Sequence, residues 1–320
     1  MIRAAFIGTG GISGAHLRYL AQRDDVEISA LCDVDPEHLQ GKRAEFGGRP
    51  FADFNEMLDT ARPDAVWLCT PPLVRRAPLL ACAERGIPVF CEKPVERGVE
   101  EAERIAAELG DHGRRVQVGY VFRSMPVVQQ LRKAMADDKI GAVQSFYGCD
   151  FSLRRSAPSW FYEKELSGGG LVDQATHNLD LLRMLLGEVR EVRGLVSNPI
   201  EPQHDGYTVD EVIGLSLLFE NGTVGGHLHT WISDGWRNEM LLSGEKRSYR
   251  LSLGRGTLAV EDGGEASTFE QDQGRMFEHQ NARFLELVAS GDASLNPCPY
   301  PDGVETLRLT LMCDAAATRK

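Results

Sequence analysis

The chain has 320 residues, which is enough for two domains with ordinary hydrophobic cores. Hydrophobic residues make up 42% of it and charged residues 26%, the balance of a globular protein in water. The formal net charge of -12 argues against a nucleic-acid partner, because a polyanion is repelled by that average field. No apolar stretch approaches the roughly 20 residues needed to cross a bilayer, so we expect no membrane attachment.

Short, continuous apolar runs separate amphipathic stretches in the first 120 residues. The runs occupy residues 4–7, 28–32, 65–69, 88–91 and 116–118. Continuous apolar runs are typical of strands that are buried on both faces, as in a parallel sheet. Helical patterns at 77–85 and 100–109 lie between the runs. This alternation predicts a Rossmann-type doubly wound α/β domain with right-handed crossovers, to which we assign residues 1–121.

The pattern changes after residue 121. Helical patterns occur at 125–135, 171–186, 280–289 and 303–316, and strand patterns at 143–153, 191–197, 209–219, 223–231 and 238–242. The segment Glu220-Asn221-Gly222-Thr223 between two strand patterns is a hairpin signal. We therefore predict a second, α+β domain over residues 122–320, built on a large and mostly antiparallel open sheet.

Seven cysteines are scattered along the chain, and no two of them form a Cys-x-x-Cys pair. Cys32, Cys69 and Cys91 each end an apolar run that is predicted to be a buried strand. Cysteines in such positions usually pack as small hydrophobic residues in the interior, with their thiols reduced. We therefore expect a cytoplasmic protein.

A glycine-rich turn joins the first apolar run to a helical pattern. Its residues are Gly8, Thr9, Gly10, Gly11, Ile12 and Ser13. The first glycine permits a tight turn and the second lets the backbone approach a pyrophosphate, while the helix start offers free N–H groups and its positive dipole end. Ser13 replaces the third glycine of the usual fingerprint with another small residue. Residues 8–12 are therefore predicted to bind a dinucleotide.

Asp33 ends the second apolar run, about twenty residues after the glycine turn, as a dinucleotide fingerprint requires. Its carboxylate is suited to accept hydrogen bonds from the adenosine ribose hydroxyls and to repel a 2′-phosphate. Asp35 adds to that repulsion, and neither Lys nor Arg adjoins Asp33. The expected cofactor is NAD, with NADP the less favoured alternative.

Five short motifs occur in order along the chain. They are Gly8-x-Gly10-x-x-Ser13-x-x-His16, Thr70-Pro71-Pro72, Glu92-Lys93-Pro94, Gly119-Tyr120 and Gly168-Gly169-Gly170-Leu171-Val172-Asp173-x-x-x-His177. Together they resemble the glucose–fructose oxidoreductase, inositol dehydrogenase and rhizopine-catabolism (Gfo/Idh/MocA) family. The resemblance implies an N-terminal Rossmann domain and NAD(P)-dependent oxidation or reduction of a sugar, polyol or related carbonyl compound. It also implies a homodimer or homotetramer formed through the C-terminal sheet.

The same resemblance places Lys93, Asp173 and His177 at catalytic positions. Asp173 and His177 are four residues apart, on one face of a predicted helix. A hydroxyl proton must be removed as hydride leaves a carbinol carbon, and histidine titrates nearest neutral pH. We therefore expect His177 to be the acid–base, Asp173 its partner and Lys93 the cation that stabilises charge on the oxygen. The roles of Lys93 and His177 could also be exchanged.

Several further contacts are predicted less firmly by position alone. Thr70, Pro71 and Glu92 follow buried strands and are expected near the cofactor, and Arg75 could meet an anionic substrate. For four residues a substrate contact and an ordinary packing or solvated role have equal weight. These are Tyr120, Arg123, Trp160 and Lys164.

His227, His229 and Trp231 alternate along one predicted strand and share a face. Because no further ligand joins the two histidines at metal-binding spacing, we expect no metal and interpret this face as exposed or buried between subunits. Two other functions remain as alternatives to a dehydrogenase. One is an NAD-dependent glycosidase with no net consumption of NAD, and the other is a non-catalytic dinucleotide sensor.

Overall fold

The computed structural model describes residues 1–151, 159–200, 206–272 and 275–319. The helices are α1 (Ser13–Leu20), α2 (Pro36–Phe46), α3 (Phe54–Ala61), α4 (Arg76–Glu84), α5 (Val99–Leu109), α6 (Pro126–Ala134), α7 (Lys164–Ser167), α8 (Thr176–Leu186), α9 (Met276–Ser290) and α10 (Tyr300–Ala316). The strands are β1 (Ile2–Ile7), β2 (Val26–Cys32), β3 (Arg49–Phe51), β4 (Ala65–Leu68), β5 (Val89–Cys91), β6 (Val116–Val118), β7 (Ile140–Gly148), β8 (Val189–Ser197), β9 (Val212–Phe219), β10 (Val224–Thr230), β11 (Arg237–Gly244), β12 (Arg247–Ser252), β13 (Thr257–Asp262), β14 (Glu265–Glu270) and β15 (Ala317–Arg319). They form two compact units: Met1–Ser124 with Arg275–Glu305, and Met125–Gly274 with Thr306–Lys320.

The first unit contains a six-stranded sheet in the order β3-β2-β1-β4-β5-β6, with every pair parallel. This is the strand order of a dinucleotide-binding Rossmann sheet, and it confirms the predicted fold class. The central strands β1 and β4 are continuous apolar runs because helices cover both faces of a parallel sheet. All five predicted strands are present. The sequence pattern missed β3, whose three residues are too few to show a period.

The segment Arg275–Glu305 returns to the first unit, whereas the sequence boundary assigned everything after residue 121 to the second. Helix α9 explains the return, because Phe284, Leu285 and Leu287 share a buried apolar cluster with Leu17 and Trp67. Burying that face stabilises α9 against the Rossmann layer by the usual hydrophobic effect. Local periodicity cannot reveal which sheet a distant helix will pack on.

The second unit is built on a nine-stranded sheet in the order β14-β13-β12-β11-β7-β10-β9-β8-β15. Its pairs are antiparallel apart from β10 with β7 and β15 with β8, which confirms the mostly antiparallel sheet. Strand β11 alternates between exposed and buried residues, as expected when one face is covered and the other is open. The hairpin predicted at residues 220–223 joins β9 to β10, and Gly222 there has a φ of 90°.

Two differences from the sequence prediction lie in this second unit. The strand predicted at 143–153 is shifted and ends at Gly148, and its last two residues lie outside the described part of the chain. The strands β12, β13, β14 and β15 were not predicted, because their polar and charged residues obscure any alternation. Within the described ranges, no helix combines the length and the apolar character that a membrane span requires.

Candidate functional site

The glycine turn after β1 is shaped by close packing against the residues that follow β4. Gly8 has a φ of 89°, and a Cβ on it would lie 2.7 Å from the carbonyl carbon of Cys69. Only glycine combines that backbone conformation with so close an approach. A Cβ on Gly10 or Gly11 would meet nothing within 4 Å, so the space beside these two residues is open. The turn therefore offers bare backbone to a ligand, as predicted for a pyrophosphate.

Helix α1 begins without a side-chain cap, because Ile12 at its start has no group that can accept a hydrogen bond. The N–H groups of a first helical turn need acceptors, and a phosphate is a suitable one. Ser13 is buried and donates its hydroxyl hydrogen to the carbonyl of Gly10 at 2.7 Å. This bond fixes the turn and explains why serine is accepted at the third glycine position.

Asp33 ties the end of β2 to the glycine turn. Its Oδ2 accepts from the backbone N–H of Thr9 at 2.6 Å and from the Thr9 hydroxyl at 2.9 Å, while Oδ1 accepts from the N–H of Asp35. A carboxylate has about four acceptor positions, so capacity remains for ribose hydroxyl groups. The residues of the turn and Asp33 thus fit an adenine dinucleotide.

The loop after β4 is held by Arg75. This guanidinium is almost fully buried and donates to the carbonyls of Thr70, Glu92 and Pro94. The suggestion that Arg75 meets an anionic substrate is therefore wrong, because its donors are used within the unit. The neighbouring Thr70 hydroxyl is buried and has no hydrogen-bond partner among the described residues. An unsatisfied buried hydroxyl is costly, so Thr70 fits a contact with a bound cofactor.

Lys93 directly follows Glu92 at the carboxyl end of β5, and Lys93 is half-buried. The Glu92 carboxylate is buried and contacts His16 Nε2 at 2.9 Å. Burial would raise the pKa of Glu92, but the hydrogen bond and charge of His16, followed by the charges of Lys93 and Arg75, outweigh it and lower that pKa. Glu92 is therefore a buried anion next to the backbone N–H of Lys93.

In the second unit, Asp173 and His177 lie on a helical run that follows the three glycines. A π-helical turn, Leu171–Ala175, leads directly into α8. Among residues 171–183, all of which the structure describes, only Asp173 and His177 are half-buried, and the others are buried. The run therefore exposes one carboxylate and one imidazole, four residues apart. Single π turns inside helices are frequent at functional sites.

Aromatic side chains border the helical run that contains Asp173, at Gly170 and Gln174. The Tyr147 ring lies 5.4 Å from the His229 ring, measured between centroids. Burial raises the pKa of Tyr147, and the charges of Cys149 and Asp173 add to the rise. Trp231 donates its Nε1–H to Gln174 Oε1 at 3.2 Å. The sequence had singled out only His229 and Trp231 of this group, and not Tyr147.

The structure places the four less firmly predicted residues as follows. Tyr120 is buried, and Arg123 is buried in contact with the Asp302 carboxylate and the Pro297 carbonyl. Lys164 pairs with Asp210 and Asp314, while Trp160 is half-exposed. Arg123 and Lys164 therefore have structural ion pairs, and only Trp160 keeps a large exposed surface.

The interpretation of the strand face that carries His227, His229 and Trp231 is wrong. All three side chains are buried within their own unit, because α8 and the π-helical turn cover this face. His227 Nδ1 contacts Ser145 Oγ at 3.1 Å. In the described part of the chain, no group of three or more His, Cys, Asp or Glu side chains has an arrangement that could hold a metal ion.

Two residues with structural importance for the site were not assigned a role from the sequence. His16 belongs to the glycine motif, and its contact with Glu92 joins positions 76 residues apart. Asn281, on α9, contacts His16 Nδ1 at 3.1 Å and accepts from Trp67 at 2.7 Å. Contacts of such sequence separation leave no periodic signal, so only the position of His16 in the motif could have indicated it.

Comparisons with known proteins agree with this geometry. Residues 2–120 match the model of an oxidoreductase family with an NAD-binding Rossmann fold, and residues 128–250 match the GFO/IDH/MocA C-terminal domain. The chain belongs to the Gfo/Idh/MocA family. It is thus a member of an NAD-binding oxidoreductase family, as the resemblance predicted.

Curated relatives of the Gfo/Idh/MocA chain have several activities. A D-glucoside 3-dehydrogenase from Escherichia coli is 31% identical over 192 residues, which is 58% of this chain and 54% of the relative. A 2,7-anhydro-N-acetylneuraminate hydratase from the same species is 23% identical over 301 residues, which is 91% of this chain and 80% of the relative. A solved levoglucosan dehydrogenase in complex with NADH and levoglucosan matches with a TM-score of 0.84 at 21% identity, covering 99% and 97% of the two chains.

Proposed function

We propose that this protein is a dehydrogenase or reductase that transfers a hydride between NAD and a CH–OH carbon of a sugar, a polyol such as an inositol, or a related carbonyl compound. The observation that carries the proposal is the half-buried pair Asp173 and His177 on an otherwise buried helical run. It occurs in a chain of an NAD-binding oxidoreductase family that has sugar dehydrogenases among its relatives. A sensor without catalysis has no use for such a pair.

The residues of the chain divide the chemistry among them. The backbone of residues 8–12 and the start of α1 hold the pyrophosphate, and Asp33 binds the ribose. The nicotinamide, when bound, supplies the hydride acceptor or donor. His177 takes the hydroxyl proton as the carbonyl forms, and Asp173 orients its ring and stabilises its charged form. The Lys93 ammonium stabilises negative charge on the same oxygen, and the exchange of roles between Lys93 and His177 remains open.

The experiment replaces each group in turn. NAD reduction is followed by absorbance with a panel of myo-inositol, levoglucosan, D-glucose and a glucoside. His177→Gln and Lys93→Met are expected to lower kcat by about 10²-fold or more, because proton transfer and charge stabilisation each contribute about that much. His38→Gln, at an exposed histidine on α2, is the control and should keep the wild-type rate. Wild-type kcat in both variants would refute the proposal.

A second function is favoured by one observation, the hydratase that aligns with 91% of this chain at 23% identity. Its name describes the addition of water, and addition of water by itself is neither an oxidation nor a reduction. Incubation of the protein with NAD and 2,7-anhydro-N-acetylneuraminate distinguishes the two functions. A dehydrogenase accumulates reduced nicotinamide in proportion to product, whereas a hydratase or a glycosidase forms product without it.

We further propose NAD rather than NADP as the cofactor. Asp33 lies beside the glycine turn, where its charge opposes a 2′-phosphate. The dissociation constant for NADH, from fluorescence titration, is expected to be at least about tenfold lower than that for NADPH, since one such charge contact is worth about 1.5–3 kcal/mol. Asp33→Ser should lower the ratio of the NADPH dissociation constant to the NADH dissociation constant. Asp59→Asn, on α3, should leave this ratio unchanged. Tighter binding of NADPH by the wild type would contradict this assignment.

A homodimer or homotetramer is proposed to form through the open face of the nine-stranded sheet. That face carries exposed apolar side chains on β8, β10 and β11: Leu195 is 58% exposed, Val224 57%, Leu228 41% and Leu241 40%. Leu195, Leu228 and Leu241 also line, together with Phe146, a broad hollow in this face. Contiguous exposed apolar surface of this kind marks an interaction site.

The seven cysteines support a reducing compartment, and we propose the cytoplasm. All seven are buried free thiols. Burial raises the pKa of Cys32 to about 12 and that of Cys91 to about 11, so neither forms the reactive thiolate near neutral pH. They are suited to packing in the interior.

A further inference from the structure

His16 and Glu92 form a buried polar contact inside the first unit. The His16 side chain is fully buried, and the Glu92 side chain is 6% exposed. The His16 ring packs against Phe90 and Phe277, with centroids 4.8 and 5.6 Å away. Polar groups in such surroundings must satisfy one another, because water does not reach them.

The hydrogen bonds around Asn281 determine which nitrogen of His16 carries a proton. Asn281 Oδ1 accepts from Trp67 Nε1–H, and Asn281 Nδ2 donates to the Phe277 carbonyl at 2.7 Å. The oxygen of Asn281 therefore faces His16 Nδ1, which has to donate. Nε2 faces a carboxylate oxygen, so one proton lies between Nε2 and Glu92 Oε1. With that proton on the ring, His16 is a cation and the buried pair has no net charge.

The second oxygen of Glu92 reaches the residue that follows it. Oε2 accepts from the backbone N–H of Lys93 at 3.1 Å. A Cβ on Gly119 would lie 3.1 Å from the same oxygen, so the carboxylate is confined between β6 and the turn after β5. The backbone of Lys93 is thus held by a carboxylate that His16 holds in turn.

We propose that His16 is a positioning residue for Lys93, acting through Glu92. It clamps one carboxylate oxygen so that the other keeps the Lys93 N–H, and hence the start of the lysine side chain, in one place. The inference rests on the proposed function only in that Lys93 acts on the substrate oxygen. It gives the histidine of the glycine motif a role that is separate from the pyrophosphate turn next to it.

The first experiment needs no substrate. Histidine-selective ¹⁵N NMR of the free protein at pH 7 is expected to show both ring nitrogens of His16 protonated, with the signal assigned by its loss in His16→Phe/Glu92→Gln. In Glu92→Gln the amide can donate to Nε2 while its oxygen keeps the Lys93 N–H, so His16 should then carry a proton on Nδ1 alone. A His16 with one proton in the wild type, or no change in Glu92→Gln, would overturn the proposal.

The second experiment measures the effect on Lys93. His16→Phe alone leaves an unpaired buried carboxylate and is expected to fold poorly. We therefore compare Glu92→Gln with His16→Phe/Glu92→Gln, since neither contains an unpaired charge. Both variants are assayed with the panel substrate that gives the fastest NAD reduction, and Glu92→Gln is the reference for the double variant. The double variant should be at least about tenfold slower than Glu92→Gln, because a misplaced catalytic group is costly. The dissociation constants of the double variant and of Glu92→Gln for NADH should differ by less than about twofold.

The Lys93→Met background separates positioning from general structural damage. Two variants are compared in this background: one adds Glu92→Gln to Lys93→Met, and the other adds both His16→Phe and Glu92→Gln. If His16 acts through Lys93, the two should have the same residual rate. A further tenfold loss would overturn the positioning role and leave the role of Lys93 intact. If Lys93→Met itself keeps the wild-type rate, the proposed function of Lys93 fails, and the NMR result alone decides whether the buried pair exists. His112→Phe is the control, because His112 in the same unit forms its hydrogen bond with the backbone carbonyl of Ile87, at 3.0 Å.

Discussion

At the scale of single residues, the buried guanidinium of Arg75 joins two loops of the first unit. A basic residue in a loop after a strand suggests an anionic ligand, yet this guanidinium is 2% exposed and donates to three backbone carbonyls. Arginine has five donors in a planar arrangement, which suits it to join two loops in this way. It fastens the loop that contains Thr70 to the turn that contains Lys93.

Arg75→Met is expected to lower the free energy of unfolding by about 2–4 kcal/mol, because the carbonyls of Thr70, Glu92 and Pro94 lose charged donors in a buried setting. Urea unfolding followed by circular dichroism measures the change. Arg76→Met is the matched control. Arg76 is an exposed neighbour that pairs with Glu108, and its loss should cost less than about 1 kcal/mol. Equal losses in the two variants would show that Arg75 is no structural tie.

At the scale of elements, β10 contributes two buried histidines to the interior of the second unit. Burial lowers the pKa of His227 to about 4 and that of His229, with a contribution from the charge of His227, to about 3. Both ring nitrogens of His229 lack hydrogen-bond partners among the described residues. The fold therefore holds both imidazoles neutral.

The free energy of unfolding should consequently fall in acid. Above the ordinary histidine pKa of 6.5, the folded and unfolded chains bind the same number of protons at these sites. The two histidines then do not reduce the free energy of unfolding. As the pH falls from 6.5 toward 4, only the unfolded chain is protonated. Each histidine then reduces stability by up to about 1.4 kcal/mol per pH unit. Urea unfolding at a series of pH values measures this slope.

His229→Phe should make that acid slope shallower, because one of the two titrating groups is removed. Thr230→Val, on the same strand, is the control and should shift stability by the same amount at every pH. An unchanged slope in His229→Phe would mean that His229 is not kept neutral by the fold.

The helical run that carries Asp173 and His177 depends on a close contact at its start. Gly170 has an ordinary helical φ of -60°, yet a Cβ on it would lie 2.7 Å from His229 Cδ2. Gly170→Ala should therefore reduce stability by about 1–3 kcal/mol through overpacking, as measured by urea unfolding. In a His229→Ala background the loss should shrink, since the colliding ring is absent.

Gly41 provides a control with the opposite sign. It lies inside α2, where a Cβ would meet nothing within 4 Å. Gly41→Ala should raise stability by about 0.5–1 kcal/mol because alanine is the better helix former. A stabilising effect of both alanine substitutions would contradict the proposed collision at Gly170.

At the scale of the whole molecule, self-association is expected to depend on the open sheet face. Light scattering after size exclusion should give the wild type a mass at least twice that of the chain, whereas Leu228→Glu and Leu241→Glu should shift it toward the monomer. Charges buried in an apolar interface are unfavourable. Leu295→Glu, at an exposed leucine of the first unit, should leave the mass unchanged. A monomeric wild type at micromolar concentration would refute the interface.

The sequence by itself determined the elements whose pattern is local. The apolar runs β1, β2, β4, β5 and β6 were predicted because burial on both faces requires continuous hydrophobic residues. The glycine turn was predicted because its chemistry depends on residues that are adjacent in the chain. Lys93, Asp173 and His177 came from motifs in order along the chain, and their catalytic roles stay predictions.

Tertiary structure alone decided which distant residues meet. Nothing local indicated that α9 packs on the Rossmann sheet, that Arg75 is buried against backbone carbonyls, or that the face of β10 with His227 and His229 is covered. In each case the outcome depends on burial and on hydrogen bonds between residues far apart in the chain, which a local period cannot encode. The glycine turn is a local feature, but only the folded protein shows the pair of His16 and Glu92 beside it.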